Sequence, residues 1–168
     1  MRHPLVLGLY TSPSSAAAGA RAVHAAGAAH DRISVISRNH DEDTALAGQL
    51  DATPGVELED SRPAGRLGEL SAYVLAAMAL VLPGIGSIVA AGPLAAGLGE
   101  AAGHVAGGLG SALTNAGVPE ERAKAFERSV KEGAVLIGVH TDAAALPAIR
   151  AALEATGAAS VETANWPQ

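Results

Sequence analysis

Short apolar runs punctuated by turn residues set the outer thirds of the chain. "LVLGLY" (5–10) is branched and apolar and predicts a buried strand. Ser12 followed by Pro13 supplies an N-cap and a proline at the first helical position. The helix they open runs through "SSAAAGARAVHAAG" to a stop at Gly27. "RISVISR" (32–38) alternates, with Ile33, Val35 and Ser37 on one side and Ser34, Ile36 and Arg38 on the other, which is the period of a strand. From residue 134 the plan repeats. "AVLIGVH" (134–140) reads as a strand. Leu146, Ile149 and Leu153 recur at helical spacing, Pro147 places the start of that helix near Leu146, and Gly157 ends it. "ASVETAN" (159–165) is a last strand. Two β–α–β halves, 1–38 and 134–168, predict an α+β fold: a ferredoxin-like sandwich of four strands with two helices on one face, in a single domain over 1–168.

Between the halves the pattern changes twice. Residues 39–65 are polar and acidic, with Pro54-Gly55 and Pro63, and read as a surface linker. Residues 66–133 read as a helical insertion: an apolar helix over 66–82, a break at Pro83-Gly84, a longer helix over 86–115, and an amphipathic helix in "VPEERAKAFERSVKEG" (118–133). In that last piece Pro119 stands at the first position, Glu120 and Glu121 in the first turn, Arg128 and Lys131 near the end, and Ala123, Phe126 and Val130 form the apolar stripe.

Projected at 100° per residue, the middle helix has three strips. Gly92, Ala96, Gly99, Gly103, Gly107 and Gly110 fall on one face; Leu94, Leu98, Val105, Leu109 and Leu113 fall opposite; Glu100 and His104 lie in a narrow polar seam. Each glycine inside a helix costs about 1 kcal/mol relative to alanine. Five glycines and Ala96 on one face therefore require close backbone packing, the arrangement of a glycine-zipper hairpin. A hairpin with a second apolar face needs a further partner, and the expectation is a homo-oligomer.

Composition narrows the partners. The 168 residues carry a net charge of −6, which disfavours nucleic acid, whose phosphates need a basic patch. The chain contains no cysteine, so disulfide frameworks and thiolate metal sites are excluded. "GLGEAAG" (97–103) approaches a dinucleotide fingerprint, but helical periodicity is read on both sides of it, no strand is expected before it, and Glu100 occupies the place a phosphate would approach. No G-x-S-x-G nucleophile motif is present, and the expectation is a non-enzymatic protein without a cofactor.

Two alternatives accompany that expectation. In the first, the hairpin (about 66–116) inserts in lipid; against it stand a short first helix and the polar Glu100 and His104 in the second. In the second, the protein is a small metal- or ligand-binding one. Of the six histidines (His3, His24, His30, His40, His104 and His140), His30 and His40 flank the second strand, and His40 begins an acidic run. His30, His40, Asp41 and Asp43 are accordingly the candidate ligands for a zinc or nickel ion.

"PGIGSIVAAGPLAAGLGEAAGHVAGGLGSALTNAGVPEERAKAFERSVKEGAVLIGV" closely resembles the bacterial general stress protein family, also described as heat-induced or low-temperature-induced proteins. PGIG, AAGPLAA and the G-V-P-E-x-x-A motif carry the resemblance over about 70–139, and "VLGLYTSPSSAAAGARAVHAAGAAHDRISVISRN" extends it more loosely. It implies a soluble, stress-associated protein and supplies no catalytic residue set; the absence of cysteine suits the cytoplasm, which is the expected location. A similarity of layout alone, to a membrane-bound subunit of a bacterial quinol-oxidising complex, motivates the membrane-associated alternative.

Overall fold

The computed structural model describes residues 3–38, 77–82, 86–94 and 108–166. The elements run β1 (His3–Tyr10), α1 (Pro13–Ala25), a 3-10 turn (His30–Arg32), β2 (Ile33–Arg38), β3 (Ala77–Leu82) and β4 (Gly86–Ala91). They continue with α2 (Leu109–Asn115), α3 (Glu120–Lys131), β5 (Val135–His140), α4 (Leu146–Ala155) and β6 (Ser160–Trp166).

The start and stop signals act as the sequence predicts. The Ser12 hydroxyl accepts from the Ser15 amide at 3.2 Å, Pro13 follows it, and Gly27 takes φ +103° after α1. In α3 the acidic first turn and basic last turn match the helix dipole, and Ala123, Phe126 and Val130 are its buried stripe.

The strands form one mixed α/β architecture around a six-stranded sheet of order β3-β4-β2-β5-β1-β6, antiparallel at every pairing. Within each β–α–β unit the two strands are not neighbours. β5 lies between β1 and β2, and β1 lies between β5 and β6. The register sets Leu5 opposite both His140 and Ala164, and Ile36 opposite both Leu136 and Ala90.

Alternation along the strands builds two cores. On one face Val6, Tyr10, Val35, Ile137 and Val139 pack with Ala16, Ala20 and Val23 of α1 and with Ile149 and Leu153 of α4. On the other, Leu5, Leu7, Leu9, Ile36 and Leu136 pack with Leu109 and Leu113 of α2 and with Phe126 and Val130 of α3. The sheet is therefore covered on both faces, a three-layer arrangement. The sequence reading expects helices on one face only. The second layer comes from the insertion, whose α2 and α3 fold back over the sheet.

The insertion also corrects the reading of 66–133 as wholly helical. Ala77–Leu82 and Gly86–Ala91 are strands that pair with each other, Leu82 opposite Gly86, and β4 then joins β2. "AMALVL" and "GSIVAA" are six-residue runs, too short and too uniformly apolar for periodicity to separate buried helix from buried strand. The helix projected over 86–115 is thus broken, and its described helical parts are Pro93-Leu94 and α2. Gly92 is not on a helix face: it turns the chain at φ +85° directly after β4, and a Cβ there would sit 2.7 Å from Ser34 Cα. Leu94, Leu109 and Leu113, expected to need a partner, are buried within the chain itself. Ala96, Gly99, Glu100, Gly103, His104 and Gly107 lie outside the described residues, as do the 39–65 linker and the helix expected over 66–76.

Candidate functional site

The register carries three polar or aromatic side chains to one end of the sheet. His140 is the last residue of β5 and shares the face of Leu136, under α2 and α3, because strand side chains alternate. His3 opens β1 on the same face, directly opposite Trp166 of β6. Trp166 packs against the core on that side. His140 is 5 % exposed, an unusual burial for an imidazole.

His3 Nε2 lies 3.1 Å from His140 Nδ1, within hydrogen-bond range. The His140 ring also meets Trp166 edge-on, with centroids 5.1 Å apart and an interplanar angle of 84°. His140 Nε2 is buried and has no hydrogen-bond partner among the described residues. Burial, then the neighbouring His3 and Arg32, hold the His140 imidazole down to about 4. Arg32 stands one step before Ile33, which lies opposite Val139, so the register brings it beside His140. At neutral pH the buried ring is therefore uncharged.

Of the candidate ligands from the sequence, His30 alone is among the described residues. His30 sits in the 3-10 turn before β2 and stacks on His24, with ring centroids 4.3 Å apart. His40, Asp41 and Asp43 follow the far end of β2 and lie outside the described residues. Among the described residues no group of three or more histidine or carboxylate side chains is placed to hold a metal ion. The pair that does meet, His3 and His140, is 137 positions apart and has no local spacing to announce it.

Of the glycine stripe, Gly110 is described in α2. A Cβ on it would lie 2.9 Å from the Glu127 carboxylate of α3, which accepts a hydrogen bond from the Gly110 amide. Its smallness thus serves contact between two helices of the same chain.

A second feature lies at the opposite edge of the sheet. Among the described residues β3 is the outermost strand at that edge, and its sequence, "AMALVL", contains no polar residue. Sheet edges ordinarily carry charges or proline that discourage further pairing. No helix among the described residues is long and apolar enough to cross a membrane. The chain matches no protein-family model, no curated protein and no solved structure.

Proposed function

We propose that the chain is a non-enzymatic, stress-associated protein that acts by self-association, with a ferredoxin-like core formed by β1, α1, β2, β5, α4 and β6. The observation that carries the reading is the apolar edge strand β3. Among the described residues no strand pairs with its outer side, which leaves a row of backbone donors and acceptors there, and its six residues are all apolar. A second copy of the same edge satisfies both requirements, because antiparallel pairing of two β3 strands continues the sheet and shields the apolar faces. The glycine stripe Gly99–Gly103–Gly107, in the following segment, is the surface proposed to pack closely in the same assembly.

The test is mass in solution. In detergent-free buffer the protein is expected to exceed one 16.6 kDa subunit by light scattering. Leu80→Lys, in the middle of β3, should shift the distribution toward single subunits. A monodisperse monomer overturns the proposal. Recovery only in detergent would favour lipid as the partner instead.

A further inference from the structure

The His3–His140 contact is costly as a purely structural device. A neutral imidazole offers one N–H and one lone pair. One nitrogen of His140 faces His3; the other, Nε2, is buried without a partner among the described residues. An apolar side chain would close this end of the sheet without leaving a polar atom unsatisfied.

The same geometry is close to that of two ligands on one small ion. With metal–nitrogen bonds of about 2.0–2.1 Å, an ion bound to both facing nitrogens at their 3.1 Å spacing subtends about 98°, between the square-planar and tetrahedral angles. We propose that His3 and His140 form a two-imidazole site for a divalent transition-metal ion, copper(II) in preference to zinc(II), with Trp166 as its wall.

The protonation states fit. Ligating imidazoles must be neutral, and the two ring nitrogens that face each other are the ones an ion would meet. The hydrogen shared by the facing nitrogens moves to the outer nitrogen of its own ring when the ion enters. The site then has His3 protonated on Nδ1 and His140 on Nε2, and no proton is released to solvent. Imidazole suits copper, zinc and nickel, and the affinity order of divalent ions puts copper(II) first. Two protein ligands leave coordination positions to water, so the site is open rather than a closed structural one. The Arg32 cation beside His140 opposes a second positive charge and lowers the affinity below that of an otherwise similar site with a carboxylate nearby. The inference does not depend on the self-association reading.

Trp166, the only tryptophan in the chain, lies against His140 and reports on the site directly. The untagged full chain, stripped with chelator, is titrated with copper(II) while Trp166 emission is followed. Saturable quenching near one equivalent is expected, reversed by excess zinc(II). His3→Gln should raise the midpoint by at least about tenfold, since even outer-shell partners of metal ligands are worth 10–100-fold. His140→Gln should do the same. The His24→Gln/His30→Gln double variant should leave the midpoint unchanged. Equal midpoints for wild type and a His3→Gln protein with an unaltered far-ultraviolet spectrum overturn the proposal, as does quenching that never saturates. If His140→Gln does not fold, His3→Gln decides alone, because His3 is only half-buried at the start of its strand.

Discussion

Gly19 of α1 lies directly over the Tyr10 ring of β1: a Cβ on Gly19 would stand 2.9 Å from Tyr10 Cε2 and closer still to the hydroxyl. The glycine lets the largest fully buried side chain among the described residues lie under the helix. The Tyr10 hydroxyl reaches past it to Thr156 Oγ1 at 2.8 Å and donates to the Leu153 carbonyl at 3.2 Å, tying β1 to the end of α4. Gly19→Ala is therefore expected to destabilise by about 1–3 kcal/mol through overpacking, although alanine is the better helix former by about 1 kcal/mol. In a Tyr10→Leu background the obstruction is gone and the same substitution should become neutral or stabilising. Urea denaturation of the four proteins of this cycle checks the change of sign.

The junction after β4 depends on one hydroxyl. The Leu94 amide donates to Ser34 Oγ at 3.0 Å, and both residues are buried. Ser34→Ala leaves that donor unpaired and should cost about 1–3 kcal/mol. Gly92→Ala should cost more, because it combines a positive φ with a clash against the β2 backbone. The two act at one junction, so the double variant should lose less than the sum of the singles, as measured by denaturant midpoints.

Acid should weaken the protein through His140. Its folded value of about 4 lies below the ordinary 6.5, so between these values the unfolded chain binds the extra proton. The stability of the neutral buried ring is fully present above about pH 6.5 and is lost as pH falls to about 4, a total on the order of 3 kcal/mol. His3 and Arg32, which face the ring, enlarge the effect. Stability measured at pH 7 and pH 4.5 should fall more in wild type than in His140→Gln; parallel declines would show that the ring does not titrate this way.

Leu80→Lys should affect assembly before it affects folding. The charge falls on an edge strand, where lysine is a common means of preventing strand pairing. Far-ultraviolet spectra unchanged from wild type, with mass reduced toward one subunit, is the expected combination.

Six elements of the sheet-and-helix core are legible in the sequence because each carries its own punctuation. Ser12-Pro13, Gly27, Pro147 and Gly157 mark helix ends within a residue or two, and Ile33–Arg38 alternates cleanly. β3 and β4 are not legible as strands. Their runs lack a polar residue in phase, and the surrounding alanine and glycine continue a helical projection across Gly92, where the chain turns. The His3–His140–Trp166 cluster is hidden for a different reason. It exists only through the order of the strands, which no local window contains. The available signal is a histidine at the outer end of each of two strands that pairing makes adjacent.

That order also governs when the protein can fold. β1 is flanked by β5 and β6, each more than a hundred residues later in the chain, and by no element close to it in sequence. Closing such long loops before any contact rewards them makes folding slow relative to proteins of local topology. During synthesis β1 precedes both partners, and one of its edges waits for Val135–His140 and the other for Ser160–Trp166. Over that interval its apolar "LVLGLY" is open to mispairing, so the final thirty or so residues act as a timer on the chain's exposure to aggregation.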